Sequence, residues 1–163
     1  MAFTLRLFEP LKKPRERLVQ AGLRPGLDVL EYGCGAGSFA IPAAQLVGAR
    51  GSVYALDIHP LAIEAVQKRA REENLTNIQA ILSDRDTGLP DQSIDVVLLY
   101  DVLHLVKDRQ AVLNEVHRVL KPDGFLSADH EHTPRELFLQ TMAQGALFSV
   151  EKENGNVFRF RKL

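Results

Sequence analysis

The sequence predicts an α/β fold, a layered arrangement of mostly parallel strands flanked by helices and closed by an antiparallel hairpin. Three observations carry this. Short apolar runs alternate with helix-period runs over most of the chain. The stretch LDVLEYGCGAGSFA at 27–40 joins a buried strand to a helix through Gly33, Gly35 and Gly37. Near the end, Asn154-Gly155-Asn156 lies between two strand-like runs, 146–151 and 157–161, and signals a hairpin.

Length and composition suit one globular domain over 1–163, with 45% hydrophobic and 25% charged residues. Twenty Lys and Arg against 21 Asp and Glu leave a net charge of -1, so no global basic field points to nucleic acid. The one cysteine, Cys34, excludes an internal disulfide framework and fits a reducing compartment. No apolar run approaches the roughly 18–20 residues of a membrane span, and the N-terminus lacks the pattern of a cleaved leader. A cytoplasmic protein is expected.

The elements follow in order. Residues 1–25 form an N-terminal segment and helix; Phe3, Leu5, Leu7 and Phe8 serve either as a lid over a site or as cover for the core's edge. Pro14 suits a first helical turn, and Gly22 with Pro25-Gly26 ends that helix. The first strand closes at Glu31; Ser38 opens the next helix, with Phe39, Ala40, Ala43, Ala44 and Val47 inward. Strand two, 52–56, ends in Asp57. His59-Pro60 starts a helix with Ala62, Ile63, Ala65 and Val66 inward, while Glu64, Lys68, Arg69, Arg71, Glu72 and Glu73 form its wet face. Strand three is 78–82, ending at Ser83-Asp84. Strand four, 94–99, is apolar almost throughout, as burial on both faces requires. Val112, Leu113, Val116, Val119 and Leu120 share one helical face, and Pro122 with Gly124 turns the chain into strand five, 125–130. Thr133-Pro134 with Glu136 reads as a capped helix start.

The glycine turn bears most on function. Glycines take positive φ and let backbone approach a ligand, and the helix start behind them leaves free N–H groups. A dinucleotide fingerprint would place its third glycine or alanine at 38, where this chain has serine. Glu31, immediately before the turn, opposes a pyrophosphate and suits a cationic group instead. Asp57 lies twenty positions beyond Gly37, where a βαβ unit places an acid for ribose hydroxyls.

On these residues the chain resembles the class I S-adenosylmethionine (SAM)-dependent methyltransferases, whose first motif is an acid-x-Gly-x-Gly-x-Gly turn after the first strand. The resemblance runs from about 26 to 163 and includes IDVVLLYDVLHLVKDRQAVLNEVHRVLKPDGFL at 94–126. It implies a Rossmann-like three-layer sandwich with a seven-stranded sheet of order 3-2-1-4-5-7-6, and SAM as cofactor. It places Glu31 near the cofactor's amino group, Gly33, Cys34, Gly35 and Gly37 along its methionine part, Asp57 and Ile58 at the ribose, Asp84 and Arg85 at the adenine, and Tyr100 beside the bound cofactor. It implies a small-molecule acceptor, with no DNA or membrane partner; a homodimer stays open. The family's frequent substrate-binding insertion is absent, which leaves acceptor recognition to the N-terminal segment, short loops or another subunit.

The chemistry needs alignment and, for some acceptors, a base. The residues closing strands four and five should face the methyl group, which makes Tyr100, His104 and His130 the catalytic candidates. That reading assigns no metal. The same neighbourhood permits a second one, in which Asp101, His104, Asp129, His130 and His132 hold a divalent cation; His-x-His on a strand would put both rings on one face. An NAD-dependent oxidoreductase and a SAM-binding module or partner subunit without turnover are the competing functions.

Overall fold

The computed structural model describes residues 14–163, so the apolar residues of the first ten, read as either a lid or cover for the core's edge, lie outside the described residues. The elements are α1 (Pro14–Ala21), β1 (Asp28–Tyr32), α2 (Ala40–Val47), β2 (Ser52–Asp57), α3 (Pro60–Glu72), β3 (Ile78–Leu82), β4 (Ile94–Leu99), α4 (Arg109–Val119), β5 (Leu120–Asp129), α5 (Arg135–Ala143), β6 (Phe148–Asn154) and β7 (Val157–Lys162). The seven strands form one sheet in the order β3-β2-β1-β4-β5-β7-β6, as the sequence implied. The first five run parallel; β7 is antiparallel to β5 and to β6.

Alternation along the strands divides the interior into two cores, one per sheet face. Val29, Val53, Ala55, Val96, Leu98 and Phe125 pack with Leu18 of α1, the alanines of α2 and Val66 of α3. Leu30, Leu56, Val97, Leu99 and Leu126 pack on the other face with α4, α5 and the aromatic group Phe138, Phe158 and Phe160. Both faces of β1 and β4 are therefore covered, which is why these segments read as nearly continuous apolar runs.

Several boundaries depart from expectation. Strand five begins at Leu120 instead of 125, because Leu120 takes extended backbone after Val119 and the chain pairs with Ile94 before Pro122. A register shift follows between Ile94 and Val96. It brings Asp95 to a junction, where it accepts from the Asp28 N–H at 2.8 Å and from Lys121 Nζ at 2.9 Å. Gly124 is required there, since a Cβ would stand 2.9 Å from the Asp95 carbonyl oxygen. Strand five also stops at Asp129, one residue early, and the 130–134 turn breaks the His-x-His alternation. Two helix starts shift: α2 begins at Ala40, two residues after Ser38, and α5 begins at Arg135 with Pro134 as its boundary residue and without the side-chain cap expected of it. The hairpin's first strand starts at Phe148 because Ala146 adopts a positive φ of 50°.

Phe158 is fully buried, with ring centroids 5.5 Å from Phe138 and 5.9 Å from Phe160. Phe158→Ala should cost about 3–5 kcal/mol, read as a fall in the urea midpoint with an unchanged slope.

Candidate active site

Glu31 follows Val29 in the alternation, so its side chain enters the α1–α3 face at the carboxyl end of β1. It is 3% exposed. One interaction there is a hydrogen bond from the Ala40 backbone at the start of α2, while Oε2 is buried without a partner among the described residues. Burial pushes this carboxyl well above its ordinary range, the Ala40 bond opposes the shift, and the negative charge of Asp57 adds to it. A buried carboxylate with one unsatisfied oxygen calls for a positive donor from outside the chain.

The three glycines of the turn all have positive φ, but they face different things. A Cβ on Gly33 would lie 2.4 Å from Val102 Cγ2, and one on Gly37 would lie 3.2 Å from both Ile41 and Val66. Those two glycines permit packing within the protein. Gly35 has nothing within 4 Å of its Cβ position, so it alone presents bare backbone to open space. The turn is pinned to β2: Gly33 and Cys34 donate to the Leu56 carbonyl at 2.8 and 2.9 Å, and Gly35 donates to Asp57 Oδ2 at 2.9 Å. Asp57 Oδ1 accepts from His59 N–H at 2.9 Å. Asp57 therefore organises the turn, a role not apparent from its spacing, and each of its oxygens keeps further acceptor capacity. Arg69, expected on the wet face of α3, instead donates to the Ala36 carbonyl at 3.0 Å and braces the same turn.

Cys34 is buried, and burial raises its thiol pKa, so it fills space in the turn. Ile58, just past β2, is 59% exposed and offers apolar surface at the rim. Asp84 and Arg85 are exposed after β3; the Arg85 guanidinium lies 3.3 Å from Asp86, and its carbonyl accepts from the Tyr32 hydroxyl.

The ends of β4 and β5 separate the residues grouped there by the sequence. Tyr100 is buried on the α1 side, 2.6 Å from Ser127 Oγ, and burial raises its pKa to about 12. Asp129, on the same side, accepts from Arg17 Nη2 at 2.6 Å and from the Asp101 N–H at 2.9 Å. Arg17 of α1 also lies over the Tyr100 ring, 4.3 Å from its centroid. His130 turns to the opposite core, its ring 5.8 Å from Phe138 and 5.7 Å from Phe158, with Nδ1 3.2 Å from the Thr133 carbonyl. Asp101, His104 and His132 do come together: Asp101 Oδ1 is 2.9 Å from His132 Nε2 and 4.0 Å from His104 Nε2. Arg17 and Ser127 carried no signal in the sequence beyond ordinary helix and strand positions.

A family model described as a methyltransferase domain matches residues 23–158. The chain belongs to the class I SAM-dependent methyltransferases. Among curated proteins, the domain is 38% identical over 102 residues to nocamycin O-methyltransferase of Saccharothrix syringae, covering 62% of this chain and 36% of that one. It is 28% identical over 143 residues to the ubiquinone/menaquinone biosynthesis C-methyltransferase UbiE of Shewanella frigidimarina, covering 86% and 57%. The methyltransferase domain thus spans about a third to three fifths of these relatives. Its fold matches a SAM-dependent methyltransferase of Aquifex aeolicus with a TM-score of 0.78 at 24% identity, over 91% of this chain and 87% of the other.

The residues present fit the cofactor of this family. The unpartnered Glu31 oxygen suits the ammonium of its amino-acid part, the open face of Gly35 admits close approach, and Asp57 retains acceptor capacity for sugar hydroxyls. Gly33→Ala and Gly35→Ala should therefore separate. Both incur about 1–2 kcal/mol for placing a side chain at positive φ, and Gly33→Ala adds about 1–3 kcal/mol of overpacking against Val102. Thermal unfolding should show the greater loss for Gly33→Ala. Calorimetry with S-adenosylhomocysteine, normalised to folded protein, should show the greater loss of affinity for Gly35→Ala.

Proposed function

We propose that this domain transfers the methyl group of SAM to a small-molecule acceptor. The observation that carries the reading is the buried Glu31 carboxylate, whose Oε2 lacks a donor. A nicotinamide dinucleotide has no ammonium donor to place there, and its pyrophosphate would meet an acid at the mouth of the turn. The names of the relatives favour small acceptors, since one is an O-methyltransferase for nocamycin and the other a C-methyltransferase of quinone biosynthesis. The lone buried cysteine suits a reducing compartment, and the cytosol is the proposed location.

Bound SAM supplies an electrophilic methyl group on a sulfonium centre. The chain's part is to hold and align. Glu31 anchors the amino-acid end, Gly35 lets the backbone close on it, and Asp57 holds the sugar while fixing the turn. Ile58 covers one side of the rim, and Asp84 with Arg85 borders the base. In-line placement of the acceptor and exclusion of water then supply most of the acceleration. Of the three catalytic candidates, Tyr100 is committed to Ser127 and His130 packs against the α5-side aromatics, so both are supports in this reading. His104 is retained on the acceptor side.

Glu31→Gln tests the reading through opposite effects on stability and binding. Because the folded pKa of Glu31 lies above its unfolded value, the folded state binds the proton more tightly, and stability falls as pH rises from about 4.5 through the folded pKa. Removing the charge should raise the melting temperature of the ligand-free protein, increasingly so across that interval. It should also weaken S-adenosylhomocysteine by about 2–3 kcal/mol, roughly 30- to 150-fold by calorimetry. Unchanged affinity in Glu31→Gln, or no binding by the wild type, would sink the proposal. Transfer of labelled methyl from SAM across a panel of phenols, enols and amines reads out the activity itself.

A further inference from the structure

We propose that Asp101, His104 and His132 form a binding site for a divalent transition cation beyond the carboxyl ends of β4 and β5. Their donor atoms all lie within 4.8 Å of one another. They come from two separate loops: Asp101 and the Leu103–Leu105 turn follow β4, and His132 follows β5. The two imidazoles are tilted at 52° to each other with ring centroids 4.8 Å apart, and Asp101 Oδ1 is the carboxylate oxygen nearest both Nε2 atoms.

A simple His–Asp pair accounts for His132, whose Nε2 is at hydrogen-bonding distance from Asp101. It does not account for His104, which at 4.0 Å is too far for a hydrogen bond to that carboxylate. One cation between the three donors satisfies all of them. In a tetrahedral site with bonds of about 2.0–2.1 Å, donors stand about 3.3–3.4 Å apart. Asp101 and His132 need to open by a few tenths of an ångström, and His104 needs to close by about 0.7 Å. All three side chains are between 28% and 38% exposed, so these are adjustments of loop side chains and not of the core.

Asp101 is also held in advance. Its φ is 53°, a left-handed conformation that aspartate tolerates better than most residues, and its N–H is fixed by Asp129 Oδ1 at 2.9 Å. Asp129 is itself anchored by Arg17 of α1. This chain of contacts sets the carboxylate from behind, as an outer partner does at a metal centre.

The donor set selects the metal class. Two imidazole nitrogens and one carboxylate oxygen, without a thiolate, favour Zn²⁺, Fe²⁺, Co²⁺ or Ni²⁺ over Mg²⁺ or Ca²⁺. Three protein donors leave at least one coordination position for an oxygen ligand. His132 borders an open hollow of about 520 Å³ that also includes Glu131, Thr133 and Asn156, which gives such a ligand room. A role for the cation in binding an acidic oxygen of the acceptor rests on the methyl-transfer reading; the site itself does not.

The test is a titration of the chelator-treated protein with Co²⁺, followed by visible absorption, with Zn²⁺ as competitor. The expected result is a saturable one-to-one spectrum displaced by Zn²⁺. His104→Ala and His132→Ala should each weaken Co²⁺ by more than about a hundredfold, beyond what an outer partner contributes, while His117→Ala on α4 leaves it unchanged. Melting temperatures check that each variant is folded, and S-adenosylhomocysteine calorimetry on the same samples keeps the two proposals apart. Absence of a saturable spectrum, or one that survives both histidine substitutions, overturns the metal site. Loss of cofactor binding with the cobalt spectrum intact overturns only the methyl-transfer reading.

Discussion

A carboxylate that the fold buries and does not fully satisfy is the constraint around which this molecule is arranged. Glu31 reaches the interior because β1 is central and alternation turns that position toward α2. The Ala40 N–H answers only part of the need, and Oε2 has no partner among the described residues. That cost falls on the isolated protein, and under the proposed function a cationic ligand group would relieve it, so one residue would both destabilise the unliganded fold and favour what binds. The surrounding turn is correspondingly rigid. The Leu56 carbonyl, Asp57 and Arg69 brace its backbone, and His59 holds Asp57, without filling the space before Gly35.

The far rim is governed by strand parity. Tyr100, Ser127 and Asp129 fall on the α1 face, where Arg17 joins them into one buried polar and aromatic group. His130 falls on the other face and disappears among phenylalanines. Residues beyond the strand ends are released from that alternation, and Asp101, His104 and His132 converge there on a common point.

Much of this was legible in the sequence. The glycines with Glu31, the apolar runs and the Asn-Gly hairpin gave the sheet, because each is a local signal with a local physical cause. What stayed hidden depends on tertiary distances. Nothing in the spacing of Gly33, Gly35 and Gly37 says that two of them face Val102 and Ile41 and one faces open space. Arg69 looks like any charged residue on a solvated helix, and Arg17 sits in a short helix of mixed polarity. The five-residue cluster expected at the rim shrank to three: Asp129 is held by Arg17 and parity turns His130 toward the phenylalanines, while the earlier end of strand five frees His132 to reach Asp101. The strand boundary, the least certain feature of a sequence, decided which side chains meet.

Where the cofactor's amino group sits is measured directly by a crystal structure of the domain with S-adenosylhomocysteine. The amino nitrogen should lie within about 3 Å of Glu31 Oε2, with the ligand chain passing over Gly35. An amino group turned to solvent, or a nucleoside bound away from the β1–α2 turn with the Glu31 oxygen still unpaired, would contradict that placement.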